Sequence, residues 1–416
     1  MGNSWQADNG SEPGHDLFAL VITNPDSTFP KAPMVLMAAQ HARELATAEI
    51  ATRFAERLVQ NPDGDPDIEW LLDHRRIHVI AQQNPDGRRQ VELGDAWWRK
   101  NHNATHCPST NPGVDLNRNS SFLFGPPSSS GDPCSDVFRG PVEVSEPETQ
   151  AIEAYLAQVL PDHRPIEDLG TPVPDNADGL FVSLHSFGEL VLIPWEGLGG
   201  QNENNVPNHD ALTILGRRMA WHTDYEVSRW FSLGPANGTA VDYAYGRLGV
   251  AAYTFEVGTT FQQSCSSFEN TVWPDNRDAL LLAAKAARRP YLEPAGPAVD
   301  ALRADLVDGR VAVSGWADDT RYFRGGSPEP PAADPVADVV ELRVSLGAPP
   351  DAAATVEVIP LPAMGQAALR GFDVMLPDGI VPPANGRVFV QAVDAEGRAG
   401  LPTMARLPLF QDGFES

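Results

Sequence analysis

The run MVLMAA, starting at Met34, is apolar on both faces and stops at Gln40 and His41, after which ELATAEIATRFAERLV repeats its apolar positions at helical spacing. A strand that buries both faces needs a layer on each side, so this unit already points to a sheet covered by helices. The pattern recurs along the chain. RIHVIAQQ (76–83) reads as a strand closed by the turn NPDG, and Ser145 with Glu148 reads as a capping box ahead of the helix AIEAYLAQVL. LFVSLH (180–185), ELVLIP (189–194) and VAAYTFEV (250–257) are further strands, with helices near 210–222 and 278–288. The expected fold is α/β, a mixed central sheet with helices on both faces, over residues 1–290. At RRPYLEPAGPAVD (288–300) the helical periodicity ends, and RVAVSGWAD, DVVELRVSL, TVEVIPL, GFDVML and RVFVQAVD follow between turns. These predict a linker and then a small antiparallel β-sandwich domain over 298–416, with the Pro-rich loop SPEPPAADP (327–335) inside it. No internal repeat is found.

Composition narrows the partners. Lys and Arg number 30 against 56 Asp and Glu in 416 residues, a net charge of −26, which repels nucleic-acid phosphates and acidic headgroups. Both halves of the chain are acidic, so no basic face is expected. No run reaches the ~18 to 20 apolar residues of a membrane span, and the polar start MGNSWQADNGSEPGHD lacks the form of a secretory leader. Three cysteines rule out a disulfide scaffold; Cys107 and Cys134 bracket one loop-like stretch and Cys265 stands apart, consistent with one disulfide and one odd thiol.

His41 and Glu44 sit where a buried strand gives way to a helix, the place at which open α/β sheets hold ligands. An imidazole and a carboxylate three residues apart can share one Zn²⁺ with a third ligand from elsewhere, although alone they are equally a solvated pair. Further motifs follow in order: AWWRK with Arg99, GVDLNRN with Asn117 and Arg118, SLHSF with His185, and YTFEVG with Glu256. Glu256 ends an otherwise apolar strand, so its carboxylate must be paired, metal-adjacent or catalytic.

Taken together, these motifs resemble the zinc carboxypeptidase family typified by pancreatic carboxypeptidase A. The likeness runs from about Asp16 to about Tyr291 and includes NPDG and the segment GDPCSDVFRG around Cys134. The resemblance implies one Zn²⁺ per chain held by His41, Glu44 and His185; Glu256 as general base; and Arg99 beside the scissile carbonyl, where oxyanion charge develops. It implies that Asn117 and Arg118 hold the free C-terminal carboxylate of a peptide or protein, and that Arg43 binds the chain upstream of the cleaved bond. Each has a structural alternative: a core histidine for His185, an Arg stacked on Trp97 or Trp98 for Arg99, a local ion pair with Asp115 for Arg118, a surface Arg for Arg43. The resemblance also pairs Cys107 with Cys134, which implies an oxidising compartment, secreted or periplasmic, and a trimmed mature chain.

Two departures bear on the substrate. Counting back from Glu256 to Asp242 and then eight residues reaches Gly234, where the family carries a mobile Tyr; Trp230 or Phe231 is the candidate replacement. Val241, at the family's pocket-floor position, favours apolar C-terminal residues, whereas Glu196, eleven residues after His185, favours Lys or Arg unless it is a solvated loop acid. The polar loops 161–179 and 196–210 can reshape the cleft. The expected activity is a monomeric zinc exopeptidase. The alternatives are an amidase acting on cell-wall peptides or amino-acid conjugates and a non-catalytic binding relative, and the sandwich is left open between secretion, stability and adhesion. The tail LFQDGFES resembles those of secreted bacterial proteins.

Overall fold

The strand foreseen at Met34 runs as β2 (Ala32–Met37), every residue of it buried. It lies at the centre of a seven-stranded sheet with β1 (Leu20–Ile22), β3 (Arg75–Ile80), β4 (Leu180–His185), β5 (Leu190–Leu192), β6 (Glu226–Ser228) and β7 (Ala251–Glu256). In the computed structural model, which describes residues 1–9, 14–61, 64–107, 111–164, 168–197, 206–229, 234–322, 334–362 and 367–408, the strand order is β1-β3-β2-β4-β7-β5-β6. The inner strands β3, β2, β4 and β7 are parallel, β1 runs antiparallel to β3, and β5 runs antiparallel to β7 but parallel to β6. The sheet is therefore mixed. Because β2, β4 and most of β7 are buried throughout, helices must cover both faces.

Helix α1 (Leu45–Gln60) turns Ala46, Ile50, Phe54 and Leu58 inward, a stripe at helical spacing. The chain continues through α2 (Pro66–His74), α3 (Pro85–Glu92), α4 (Pro147–Val159), α5 (His209–Thr223), α6 (Ala240–Leu248) and α7 (Trp273–Ala286). Helices α1, α5 and α7 pack in one group and α4 and α6 in another. Among the described residues no helix is long and apolar enough to cross a membrane.

Local expectations fail where a side chain has a stronger tertiary partner. NPDG is not a closing turn: Asn84 caps α3, its side chain accepting from Gly87 N–H, with Pro85 in the first turn. No capping box forms at Ser145. Pro147 starts α4, Ser145 Oγ donates to Glu146, and Glu148 accepts from Trp5 N–H and Asn101 instead. The helix foreseen at 278–288 begins five residues earlier.

The linker also ends sooner than its composition suggests, because Ala298 already belongs to a strand. The second body stacks a three-stranded sheet, β8 (Ala298–Val307), β9 (Arg310–Asp318) and β12 (Leu369–Met375), with a four-stranded sheet, β10 (Val339–Leu346), β11 (Val356–Pro360), β13 (Arg387–Asp394) and β14 (Thr403–Arg406). All the pairings are antiparallel, and Val313, Leu342, Phe372 and Val390 fill a core of their own. Most of the Pro-rich loop 327–335 and of the tail lies outside the described residues.

The two bodies meet along α2. Phe389 of β13 sets its ring edge-on to Trp70 at 5.9 Å, Lys285 joins Asp67 at 2.6 Å and Thr403 at 3.1 Å, and Arg387 and Arg406 pair with Asp73 and Glu69. Phe389 is fully buried and belongs to the core of the first body. Phe389→Ala should therefore lower the unfolding free energy by about 3 to 5 kcal/mol in urea denaturation followed by tryptophan fluorescence; a loss under 1 kcal/mol would mean that the seam carries little stability.

Candidate metal and active site

Parallel strands deliver side chains to one edge of the sheet. β2 ends at Met37, and the next residues are held in a fixed bend: Ala38 N–H donates to Ile80 O, Ala39 N–H to the Thr47 hydroxyl, and Ala39 has φ +55°. His41 follows the bend and Glu44 stands at the N-cap position of α1, where the helix dipole favours a carboxylate although its side chain makes no capping bond. His185 is the last residue of β4 and Glu256 the last of β7, paired in register across the parallel ladder.

His41, Glu44 and His185 are buried and offer one ligand atom each, all within 4.8 Å of one another. His41 Nδ1 lies 2.8 Å from Glu44 Oε1, His185 Nδ1 3.3 Å from Glu44 Oε2, and the two Nδ1 atoms 3.2 Å apart. His41 Nε2 faces Asp115 Oδ1 at 3.2 Å, which places the ring proton there and turns the Nδ1 lone pair toward the other two groups. A lone pair and a carboxylate at such separations are stabilised by a proton or a cation between them. Four ligands around zinc at ~2.0 to 2.1 Å stand about 3.3 Å apart, so this donor set fits the ion.

The surrounding carboxyl groups divide by partner. Burial would push Glu44 up, but the two imidazoles outweigh it and hold its carboxyl well below the usual range. Asp115 is likewise buried, and Arg99 with His41 holds it far down; Arg99 donates to it from Nε at 3.2 Å and from Nη2 at 2.8 Å. Burial and the Arg99 charge lower His41, whereas the Glu44 carboxylate raises His185 against the effect of burial. Among the described residues no ion pair joins Glu256 to a cation, and burial pushes it up to about 8, with Glu44 and Glu196 adding to the rise against the charges of His185 and Arg99. Glu196 is buried rather than solvated, its Oε1 has no hydrogen-bond partner among the described residues, and burial raises it against the nearby hydroxyls of Thr254 and Thr239. Its N–H and that of Gly197 donate to the Asp242 carboxylate at 2.9 Å each. That carboxyl is raised well above its ordinary value by burial and by Glu196.

Of the other expected positions, Arg99 and Asn117 bond Asp115 beside this cluster. Arg99 bonds Asp115 rather than stacking on Trp97 or Trp98, and its Nη1 reaches within 3.4 Å of His41 Nδ1. Arg118 does not take Asp115 as its ion-pair partner; its guanidinium donates to Ser128 O at 2.9 Å and Asn117 O at 2.7 Å. Asn117 N–H donates to Asp115 Oδ1. Both residues are half-buried. Arg43 lies over the Phe261 ring at 4.2 Å, next to an aromatic group in which Phe187 and Trp97 set their rings edge-on to Phe261. Val241 is in the apolar core of α6. Gly234 has φ +81° and open space where a Cβ would be; Trp230 and Phe231 lie outside the described residues, as does much of the loop 196–210. Cys107 and Cys134 form a disulfide with Cα atoms 5.4 Å apart, and Cys265 is free and exposed.

Sequence reasoning passed over Asp115 as a site residue, although its place two positions before Asn117 in GVDLNRN was the available signal. It also passed over Phe187 and Phe261. Removing Asp115 leaves His41 Nε2 and two Arg99 nitrogens facing one another in a buried space. Asp115→Ala is expected to cost about 3 kcal/mol of unfolding free energy, and Asp115→Asn less, by urea titration; equal stability of all three proteins would show that the pair is dispensable.

A family profile described as zinc carboxypeptidase matches residues 10–279. Among curated proteins, carboxypeptidase A1 of Mus musculus is 27% identical over 227 residues, which is 53% of this chain and 49% of that protein. Carboxypeptidase O of Homo sapiens is 28% identical over 251 residues, 58% of this chain and 61% of that protein. The chain thus spans about half the length of the first of these and somewhat more of the second. Among solved structures, the carboxypeptidase A from Helicoverpa armigera superposes with a TM-score of 0.55 at 25% identity, covering 69% of this chain and 67% of that one. The seven-stranded body therefore has the carboxypeptidase fold, and the sandwich lies beyond the matched residues.

Proposed function

We propose, from the premise that this chain belongs to the zinc carboxypeptidase family, that it is a zinc-dependent exopeptidase cleaving the C-terminal peptide bond of peptides or proteins. The observation that carries this reading is the convergence of His41, Glu44 and His185 with Glu256 in register beside His185. We assign one Zn²⁺ per chain to those three ligands; when bound, it supplies Lewis-acid polarisation of the scissile carbonyl and activation of water. Glu256 accepts the proton from the attacking water and returns it to the leaving amine, a role suited to a carboxyl whose affinity for protons is raised by its surroundings. A cation at the cluster would draw that affinity back toward neutrality. Arg99, fixed by Asp115, points a charged donor to the place where oxyanion charge develops. Asn117 and Arg118 hold the substrate carboxylate, Arg118 exchanging carbonyl partners for a charge-assisted pair. Arg43 and the Phe187 and Phe261 rings contact the chain upstream.

On the C-terminal side chain, the burial of Glu196 among Thr254, Thr239 and Asp242 supports a preference for Arg or Lys, and Val241 lies in the helix core behind it. The proposed domains are 1–290, catalytic, and 298–416, accessory. The disulfide supports a secreted or periplasmic location, which cell fractionation checks, and a monomeric state is the reading that light scattering checks. The three ligand candidates and Glu256 are all in place, which counts against the binding-only reading; the amidase reading shares the same metal site and no observation favours it.

Glu256→Gln should retain about one equivalent of zinc while kcat falls at least ~10²-fold on an N-blocked dipeptide. The His41→Ala, His185→Ala double variant should lose the metal after dialysis. Stoichiometric zinc in the double variant, or normal turnover in Glu256→Gln, sinks the assignment.

Amidating the substrate C-terminus should cost ~30- to 1000-fold in kcat/KM, and Arg118→Ala should erase most of that difference. In the same assay hippuryl-Arg should outpace hippuryl-Phe, and Glu196→Gln should narrow the gap. A native preference for Phe that Glu196→Gln leaves unchanged removes Glu196 from the specificity site.

A further inference from the structure

The outer face of the three-stranded sheet carries an arrangement that its own packing does not need. β9 is the middle strand, so its outward side chains stand at the centre of that face. Alternation sends Val313 and Ala317 into the core and Ser314 and Trp316 outward. Trp316 is 52% exposed, and its partner across the ladder on β12 is Gly371. A Cβ built at Gly371 would stand 3.3, 3.5 and 3.5 Å from three consecutive atoms of the six-membered ring of Trp316. Such near-equal distances mean that the indole lies flat over the glycine. One ring face rests on the backbone and the other meets solvent. The next row of the same face, about 7 Å along the strand, is Arg303, Ser314 and Asp373, with Ser314 in register between the other two. These groups line a shallow depression of about 480 Å³.

We propose that this face binds a neutral β-1,4-linked glycan, one pyranose stacking on Trp316 and adjoining hydroxyls bonding Arg303, Ser314 and Asp373. A pyranose with equatorial hydroxyls presents a flat array of axial C–H groups, whose positive hydrogens complement the negative face of an indole. Its rim is a ring of hydroxyls, each both donor and acceptor, which an Arg that only donates, an Asp that only accepts and a Ser that does both can match. The β-1,4 linkage makes an extended ribbon that lies along a strand, so one sugar can stack while its neighbour reaches the polar row. Charge excludes the anionic polymers. Residues 291–416 hold nine Arg and no Lys against eighteen Asp and Glu, and Asp305 of β8 stands beside Ala312 while Asp300, beside Trp316, is paired with Arg321. A glycan foothold would keep the peptidase body close to a polysaccharide surface.

The test uses the full chain, sedimented with microcrystalline cellulose and with chitin and then challenged with cellohexaose or chitohexaose. Retention on at least one solid, reversed by the matching hexaose, is expected. Trp316→Ala should weaken retention by at least about tenfold with an unchanged unfolding midpoint, and Trp316→Phe by less. Gly371→Val keeps the indole but lifts it from the strand, so it should also weaken retention. The control Trp221→Ala, at another exposed indole, should bind like the unaltered protein. No retention on either solid, retention that the hexaoses do not reverse, or equal retention by Trp316→Ala overturns the proposal.

Discussion

Glu44 is buried between two imidazoles, and Asp115 is buried behind the first of them. Two ionised carboxylates in such a place are tolerable only if every oxygen has a donor or a cation, and the fold supplies these from distant parts of the chain. Ser186 N–H and His185 come from the end of β4, Arg99 from the segment after α3, and His41 from the bend after β2. The parallel central strands bring all of these to one edge of the sheet. Had β4 run the other way, His185 would sit at the far edge and Glu44 would keep one imidazole.

The same edge holds carboxyl groups with opposite proton affinities. Glu44 and Asp115 touch cations or imidazoles and stay ionised, whereas the half-buried Glu256 and the buried Glu196 and Asp242 are shielded from water near other acids and are pushed toward the neutral form. Separation of this kind assigns work: permanent anions bind and orient, and a carboxyl near neutrality exchanges protons. Because the raised groups repel one another, a positive charge arriving at the ligand cluster affects all of them.

The accessory body does not hang from a free linker. Its β13 and β14 strands lie against α2, with Arg387 and Arg406 meeting the acids of that helix and Phe389 entering the first core. This leaves the opposite sheet, β8-β9-β12, facing outward, where Trp316 stands. The seam and the open face are thus two sides of one packing choice.

Sequence by itself determined a great deal where one residue's chemistry is tied to the period of its element. The all-apolar strands, the helix stripe after Glu44, the disappearance of helical period near 290 and the ordered motifs around His41, Arg99, Asn117, His185 and Glu256 were legible because backbone period and residue type are local properties. Tertiary structure decided whatever depended on competition between partners. Asn84 and Glu148 are turn and cap residues by local rule, yet Asn84 starts a helix and Glu148 answers to Trp5 and Asn101. Arg99 had two Trp beside it in the chain and chose Asp115, sixteen residues on; Arg118 was left to backbone carbonyls because that acid was taken. Glu196 read either as a pocket acid or as a solvated loop acid and is buried beside Asp242, and Gly371 had no visible purpose until β12 laid it under Trp316. In each case a charge or a ring has several acceptable neighbours in sequence, and only the pairing of distant strands settles which one comes within bonding distance.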